Sequence, residues 1–363
     1  MTEETITMPV DIEVKLRQEY QNVNVSRRKF VFAVGSMGVA AAFGPASYAA
    51  DMTARRQLRR FKFVHIDVFT SNPLAGNPLD VFLNASGMSD SDMLAITRET
   101  YLSEATFVFP RDAAIERERG IRVRIFTPDG EIPFAGHPTL GTATVLRNLR
   151  LASTQSNAAL RGDLAEISLD LTVGKIPVAF SENSTGQAFG EMHQVPPKFG
   201  AIHDKETVAK LHNLSSDDIA DFGPIQTVST GLPFAIVPLK RLAALEALRI
   251  DAEKMNAYVA KQEANFGFYY VTRDTADSDV GIRARCLFVG GEDAATGSAA
   301  GCLAGWLVRN GVAAPDQVQH IRQGVEMKRT SDIFVRAGRE GANIVNVRVG
   351  GYAVQTMEGE IFI

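Results

Sequence analysis

The chain contains very little cysteine. Its 363 residues include only Cys286 and Cys302. Two cysteines are too few for a disulfide framework or for a zinc site built from thiolates. Both stand in apolar runs, Arg285-Cys286-Leu287-Phe288 and Gly301-Cys302-Leu303, which predicts that they pack in the core. Disulfide-stapled and cysteine-zinc proteins are therefore excluded.

An excess of positive charge and the common nucleotide motifs are also missing. The formal net charge is −4, and no segment rich in lysine and arginine follows the N-terminal region. Nucleic-acid binding therefore has no electrostatic support. No glycine turn ends in the Gly-Lys-Ser/Thr of a phosphate-binding loop or has the spacing of a dinucleotide fingerprint. A small-molecule ligand is expected, rather than nucleic acid, ATP or NAD.

The apolar run near the N-terminus, residues 30–44, is shorter than the roughly 20 residues that span a bilayer. It follows Ser26-Arg27-Arg28-Lys29-Phe30 and precedes Ser47-Tyr48-Ala49, which is the order of a twin-arginine export signal. We expect residues 1–49 to be removed during export to the periplasm or beyond, with no stable membrane association afterwards. An uncleaved anchor and a cytoplasmic protein with a chance Arg-Arg are the alternatives. Cargo of this route often carries a cofactor, so the signal by itself favours one.

Short runs of alternating apolar and polar residues dominate the rest of the chain. A period of two predicts half-buried β-strands, and such runs occur in both halves. The clearest lie at 61–68, 121–126, 166–171, 266–271, 280–287 and 344–349. Two predicted helices, 139–149 and 298–310, are small or apolar nearly all round, which indicates that they are buried.

The two buried helices resemble each other, because each follows a glycine turn and they end in Val145-Leu146-Arg147-Asn148 and Leu307-Val308-Arg309-Asn310. This repeat and the chain length predict an α+β protein of two similar domains, each wrapping strands around a central helix. We place the first domain at 61–189 and the second at 190–349, since a proline-rich segment follows Gly190. The strand-like run that begins at Gly350 is expected to return to the first domain, which would then include 350–363.

Glu104 is the most informative residue of the chain. It stands in Leu102-Ser103-Glu104-Ala105-Thr106-Phe107-Val108, where a carboxylate interrupts an apolar run at the start of a predicted strand. Burial there favours the neutral form and raises the pKa toward the working range of a general base. The same pattern also fits a paired structural carboxylate.

Two glycine turns, Phe134-Ala135-Gly136-His137-Pro138 and the run from Gly290 to Ser298, precede the buried helices. Unpaired amides and the positive dipole end at each helix start favour a carboxylate or similar anion where the two starts converge. His137 is either a site imidazole or a loop histidine bonded to its own backbone. Asp293 is suited to capping the helix, to catalysis or to both. Ser298 lacks a nucleophile elbow, which favours hydrogen bonding over covalent chemistry.

Four segments together resemble the signatures of the PhzF-like (phenazine-biosynthesis-like) isomerases. They follow one another in the order and at the spacing of that family, and the resemblance covers residues 61–363. The segments are Asn72-Pro73-Leu74-Ala75-Gly76-Asn77-Pro78, Leu102-Ser103-Glu104-Ala105-Thr106-Phe107-Val108, Phe134-Ala135-Gly136-His137-Pro138-Thr139-Leu140-Gly141-Thr142-Ala143 and Glu292-Asp293-Ala294-Ala295-Thr296-Gly297-Ser298-Ala299-Ala300-Gly301. Ala294 stands where the family usually has proline.

The resemblance implies a diaminopimelate-epimerase-like fold with an active site between two similar domains. It implies that Glu104 removes and returns a proton of a small carboxylic acid, with His137 and Asp293 also in the catalytic group. It further implies a homodimer and no metal or organic cofactor, against the hint from the export signal. The residues that it assigns to substrate binding are Asn77, Gly136, Thr296, Gly297 and Ser298.

Related epimerases and racemases place one cysteine at each helix start. Ala135 and Thr296 stand at those positions here, so racemisation by two thiols is excluded. A proton shuttle on Glu104 remains, with His137 or Asp293 as the second donor. The leading hypothesis is therefore a cofactor-independent isomerase. The alternatives are an exported protein that binds a small carboxylate without chemistry, and a hydrolase that uses Ser298.

Overall fold

The computed structural model describes residues 58–153, 165–262 and 267–363. The predicted export signal at 1–49 lies outside these residues. Residues Arg60–Ile361 form one compact unit, which contains every feature discussed below. None of the helices in the described ranges combines the length and apolarity needed to cross a bilayer.

Strands contain more residues of this unit than helices do, as the alternating runs predict. The strands are β1 Arg60–Val68, β2 Asn77–Phe82, β3 Ala105–Phe109, β4 Ile121–Thr127, β5 Gly130–Ile132, β6 Glu166–Leu171, β7 Gly174–Glu182, β8 Ala188–His193, β9 Lys198–Ile202, β10 Gln226–Ser229, β11 Pro233–Leu239, β12 Gly267–Thr272, β13 Ile282–Phe288, β14 Gly291–Asp293, β15 Gln319–Gln323, β16 Ser331–Glu340 and β17 Asn343–Phe362. The α-helices are α1 Asp90–Thr100, α2 Ala113–Arg119, α3 Gly136–Ser153, α4 Lys205–Leu211, α5 Leu242–Ala247, α6 Ala252–Val259 and α7 Gly297–Arg309.

The two halves of the unit, β1–β8 and β9–β17, repeat one pattern of strand pairing. In the first half β2 is parallel to β3 and β4 is parallel to β6, while the neighbouring pairs are antiparallel. In the second half β11 is parallel to β12 and β13 is parallel to β15, again among antiparallel pairs. The prediction of two similar α+β domains with curled, mostly antiparallel sheets is confirmed.

Each sheet curls around one of the buried helices. Strands β1, β2, β3, β4, β6, β7, β8 and β17 form a closed ring, because β17 pairs with both β8 and β1. The first central helix, α3, packs against β1, β2, β6 and β8 of this ring. The second central helix, α7, packs against β10, β11 and β16. The domain boundary near Gly190 stays a prediction; in the structure β8 continues through Gly190 and pairs with β7 and β17.

Both central helices are buried, as their composition predicts. Helix α7 is buried from Gly297 to Val308. Helix α3 begins at Gly136, three positions before the predicted start, since Pro138 is tolerated in the first turn of a helix. The two cysteines are buried and free, which confirms their predicted place in the core.

A short hairpin leads into each central helix and is fixed by the same kind of ion pair. In β4–β5, Arg124 donates from Nε and Nη2 to the two carboxylate oxygens of Glu131, at 2.9 and 2.5 Å. In β13–β14, Arg285 contacts Glu292 in the same way, at 2.8 and 2.7 Å. Such two-pronged pairs fix geometry as well as charge. Each hairpin therefore aims its helix start in a defined direction.

The two helix starts meet in the middle of the unit. A Cβ atom added to Gly136 would lie 2.6 Å from backbone atoms of Gly297 and Ser298. A Cβ atom added to Gly297 would lie 3.1 Å from the Cα of Gly136 and 2.8 Å from the ring of Phe69. Only glycine permits so close an approach of two backbones. The convergence that the two glycine turns predict is thus present.

Candidate active site

A cleft of about 410 Å³ opens beside the meeting point of the two central helices. Its lining comes from both halves, through the residues before β3, the two hairpins and the two helix starts. Seven of the eight residues predicted from the sequence line it: Glu104, His137, Asp293, Gly136, Thr296, Gly297 and Ser298. These residues lie up to nearly two hundred positions apart in the chain, and the fold brings them into one site.

Glu104 lies directly before β3, with its side chain 18% exposed. Burial raises the pKa of its carboxyl group to about 8; the negative charge of Asp293 adds to the rise, and a hydrogen bond with Ser103 opposes it. Its Oε2 atom is buried and has no hydrogen-bond partner among the described residues. Protonated and ionised forms are therefore both present near neutral pH, as a proton-transfer group requires.

His137 occupies the first turn of α3 with only 3% of its side chain exposed. Burial lowers the pKa of its imidazole to about 3, so the ring is neutral at neutral pH. Its Nε2 atom lies 3.6 Å from Oε2 of Glu104 and, in the part of the chain that is described, has no hydrogen-bond partner. The alternative of a loop histidine bonded to its own backbone is wrong.

Asp293 is the last residue of β14 rather than the N-cap of α7, a position that Thr296 occupies. The capping interpretation of Asp293 is therefore wrong, because a strand residue three positions earlier is not in place to cap. Its Oδ1 accepts a hydrogen bond from Asn77 at 2.7 Å, and its Oδ2 accepts one from Thr296 at 2.8 Å. Burial raises the pKa of Asp293 to about 6, although these hydrogen bonds oppose the rise.

Asn77 does not line the cleft; it lies behind it, 2% exposed. Its Nδ2 atom is 2.7 Å from Oδ1 of Asp293, 2.9 Å from the carbonyl oxygen of Ala295 and 3.1 Å from Nδ1 of His137. The two oxygen acceptors fix this atom as the amide nitrogen. The amide nitrogen has two hydrogens for these three partners, so one hydrogen is shared. Because this nitrogen only donates, a proton on Nδ1 of His137 would face another donor, and we therefore assign the imidazole proton to Nε2. Asn77 thus contacts two cleft residues from opposite halves, His137 and Asp293, and its contact with the substrate stays a prediction.

Gln323 was missed by the sequence analysis. It is fully buried, and its amide nitrogen donates to Oγ1 of Thr296 at 2.9 Å and to the carbonyl oxygen of Asp293 at 2.8 Å. Its carbonyl oxygen accepts from the hydroxyl group of Tyr269 at 3.1 Å. One signal was available: Gln323 falls on the same face of β15 as Ile321, which places a polar amide inside the sheet.

Part of the remaining lining is apolar, and no sequence motif predicted it. The apolar side chains come from the hairpin ends and from the start of β11: Ile132, Leu232, Phe234 and Phe288. Ser298, which lines the polar side, is 4% exposed. Over the described residues, no three side chains of histidine, cysteine, aspartate or glutamate are grouped so that they could hold a metal ion.

The arrangement combines a carboxyl group that titrates near neutrality, a neutral imidazole and two helix starts. The first amides of a helix have no intrahelical partner, so both starts favour negative charge in the cleft. Ala135 and Thr296 border these starts in place of thiols, and Cys286 and Cys302 are buried in the core. The site can therefore bind an anion and move a proton without sulfur chemistry.

Known proteins resemble this chain over most of its length. A family model described as phenazine biosynthesis-like protein matches residues 66–359. A trans-2,3-dihydro-3-hydroxyanthranilate isomerase of Pseudomonas chlororaphis is 33% identical over 305 residues, which cover 83% of this chain and 99% of the relative. An uncharacterized isomerase of Mesorhizobium japonicum is 33% identical over 308 residues, which cover 82% of this chain and 97% of the relative.

Solved structures show the same fold. A PhzF-family phenazine biosynthesis protein of Bacillus anthracis superposes with a TM-score of 0.72 at 26% identity, covering 84% of this chain and 100% of the other. A predicted epimerase of Pseudomonas aeruginosa gives 0.67 at 32% identity, covering 83% and 99%. A hydroxyproline epimerase of Agrobacterium vitis superposes with a TM-score of 0.55, covering 84% of this chain and 92% of the other. At 11% identity this likeness shows the diaminopimelate-epimerase-like fold alone. The chain belongs to the phenazine biosynthesis-like (PhzF) family and is an isomerase.

Proposed function

We propose that the protein isomerises a small carboxylic acid by moving a proton, with Glu104 as the general acid/base and without a cofactor. One observation carries the proposal: Oε2 of Glu104 is buried in the cleft with no hydrogen-bond partner in the described residues, on a carboxyl group whose pKa burial raises to about 8. Burying an oxygen atom without a hydrogen-bond partner lowers the stability of the folded protein, so such an atom in a cleft indicates a function.

In this proposal the substrate carboxylate lies against the starts of the central helices, near Gly136 and Gly297. Ionised Glu104 takes a proton from the carbon next to a carboxylate or ketone, and the electron pair of that C–H bond moves onto the carbonyl oxygen. The helix-start amides stabilise the developing negative charge. Protonated Glu104 then returns the proton to the far carbon of a double bond conjugated with this group: the C=O bond re-forms, the double bond shifts by one position, and its electrons make the new C–H bond, so that no atom or electron is gained or lost.

His137 is suited to assist this transfer as a neutral donor. With its proton on Nε2, it presents an N–H group toward the cleft, 3.6 Å from Glu104. A neutral imidazole can donate a hydrogen bond to the carbonyl oxygen on which negative charge develops. Asp293 shapes the same region, and its charge adds to the rise that burial causes in the pKa of Glu104.

The substrate class rests on the anion-binding helix starts and on the apolar wall formed by Leu232, Phe234 and Phe288. A small organic acid with an apolar part fits both. The relatives named trans-2,3-dihydro-3-hydroxyanthranilate isomerases suggest one trial compound, and we propose to begin with that acid.

The test is a screen of the purified protein against small carboxylic acids, first for thermal stabilisation and then for exchange of carbon-bound protons with deuterated water. The proposal expects at least one ligand that both stabilises the protein and exchanges a proton in its presence. Ligands that bind tightly without any exchange would overturn the proposed proton transfer by Glu104.

A further inference from the structure

Arg329, in the turn between β15 and β16, reaches from the second half of the unit into the first. Its Nη2 atom is 2.5 Å from Oδ1 of Asp67 and 2.8 Å from the carbonyl oxygen of Ala75, and its Nε is 2.9 Å from the carbonyl oxygen of Gly76. Asp67 is 1% exposed, so its charge is compensated by this guanidinium group. One side chain therefore ties both ends of the loop between β1 and β2.

The loop is held by two further hydrogen bonds. Oδ2 of Asp67 accepts from the backbone nitrogen of Leu74 at 2.7 Å, and the backbone nitrogen of Gly76 donates to the carbonyl oxygen of Thr330 at 3.0 Å. Gly76 has a φ of +68°, and a Cβ atom there would lie 2.4 Å from the carbonyl oxygen of Val68. The backbone at this position therefore requires glycine, both for its left-handed conformation and for its close approach to Val68.

The residue that follows Gly76 is Asn77, whose amide contacts His137 of the first half and Asp293 of the second. These contacts fix the imidazole tautomer and one carboxylate oxygen of Asp293. The position of Asn77 is in turn set by its pairing with Val68 of β1 and by the preceding backbone, which Arg329 holds. A chain of direct contacts thus runs from Arg329 through Gly76 and Asn77 to the cleft.

We propose that Arg329, paired with Asp67, is a positioning residue for the acid/base site: it holds the amide of Asn77 where it keeps the proton of His137 on Nε2. This role rests on the proposed function. It differs from that of a purely structural ion pair, because it predicts a change in the state of His137 when the pair is lost, even in a variant that stays folded.

The matched control is another ion pair between the halves. Arg336 of β16 donates from Nε and Nη2 to Glu191 of β8, at 3.1 and 2.6 Å, and this pair lies on strands rather than on the Asn77 loop. Arg329→Met and Arg336→Met remove the same charge, although Glu191 is more exposed than Asp67 and keeps a second partner, Arg348, at 3.0 Å. Arg329→Lys keeps a positive charge beside Asp67, but an ammonium group cannot reproduce the three contacts of the planar guanidinium group. It replaces the methionine variant in the test if that variant does not fold.

The first readout does not require a substrate. Nitrogen NMR of the imidazole rings, with His137 assigned through a His137→Gln variant, should show a neutral ring protonated on Nε2 in the unaltered protein and in Arg336→Met. In Arg329→Met and Arg329→Lys, the His137 signals should move toward a mixture of tautomers. Unchanged His137 signals in folded Arg329 variants would overturn the proposal and leave a structural ion pair.

The second readout uses a substrate from the exchange screen. Loss of positioning should lower kcat by about 10²-fold with a smaller change in KM. Arg336→Met should retain kcat. If the unaltered protein exchanges no proton of any acid, the proposed function fails while the NMR result still decides the role of Arg329. An Arg329→Met variant with altered tautomer and unaltered kcat would contradict the positioning role.

Discussion

Oε2 of Glu104 lies 3.6 Å from Nε2 of His137, and within the described ranges neither atom has a hydrogen-bond partner. Burial acts on the two groups in opposite directions, since it raises the pKa of the carboxyl group to about 8 and lowers that of the imidazole to about 3. Glu104 is thus the member of the pair whose charge changes in the neutral range. His137 remains a neutral donor throughout that range.

The pH dependence of the reaction follows from the titration of Glu104. Because the ionised carboxylate takes the proton, kcat/KM of the free enzyme should rise with pH up to about 8 and then level off. Initial rates in a series of buffers of constant ionic strength measure this profile. A flat or falling profile over the same range would contradict ionised Glu104 as the base.

Asp293 should shift the midpoint of that profile. Its negative charge raises the pKa of Glu104, so Asp293→Asn should move the midpoint to lower pH, whatever its effect on the maximal rate. Asp129→Asn is the control, since Asp129 is an exposed carboxylate that also borders the cleft. Equal midpoints in Asp293→Asn and the unaltered protein would show that the charge of Asp293 does not raise the pKa of Glu104.

Glu104→Gln should change stability in a pH-dependent way. The pKa of Glu104 in the folded protein, about 8, lies above its ordinary value of 4.5, so between these values the folded state binds more protons than the unfolded state. The free energy of unfolding therefore falls as pH rises through this window, by at most about 1.4 kcal/mol per pH unit. Glutamine does not titrate, so the variant should gain stability relative to the unaltered protein as pH increases.

Urea unfolding at about pH 5.5 and about pH 8.5 measures this difference, because the two conditions lie on either side of most of the window. Asp129→Asn should show no comparable change between the two conditions. A stability difference for Glu104→Gln that is the same at both pH values would show that the carboxyl group titrates normally.

The contact between the helix starts should not tolerate a methyl group. In Gly136→Ala the new Cβ would meet the backbone of Gly297 at 2.6 Å, so the helix starts must separate. Overpacking of this kind costs about 1–3 kcal/mol, and the cleft should lose exchange activity. Gly290→Ala is the control, because Gly290 also borders the cleft and has nothing within 4 Å of the added atom. Equal stability of the two variants would contradict the close approach.

The cysteines should play no part in catalysis. Burial raises the pKa of Cys302 to about 12 and places that of Cys286 well above its ordinary value, so neither is a thiolate in the folded protein. Ellman's reagent should leave the folded protein unmodified and active, and should react with both thiols after unfolding. Rapid modification of the folded protein with loss of activity would reopen thiol chemistry.

Much of the site could be predicted from local sequence. Glu104 could be identified because a carboxylate interrupts an apolar run there. The glycine turns could be identified because each precedes a helix that is small or apolar nearly all round, and a side chain at such a start would keep a second backbone away. The presence of strands in both halves followed from the alternating runs. These features depend on residues that are close together in the chain.

The supporting residues depend on distant contacts and could not be predicted in the same way. Asn77 and Asp293 are 216 positions apart, and Asn77 was expected to contact the substrate because its motif gives no sign of what lies between it and the cleft. Gln323 ends β15, where only its alternation with Ile321 indicates burial, and Arg329 lies in the turn before β16, where surface arginines are common. Their roles appear only when the two halves are brought together.

In the proposed reaction Glu104 moves the substrate proton. The most direct test is exchange of a carbon-bound substrate proton with deuterated water, followed by NMR, for the unaltered protein and for Glu104→Gln with a ligand from the screen. The variant should retain ligand binding and lose exchange by about 10²–10⁴-fold, the usual contribution of a general acid/base. Undiminished exchange by a folded Glu104→Gln protein would contradict the account.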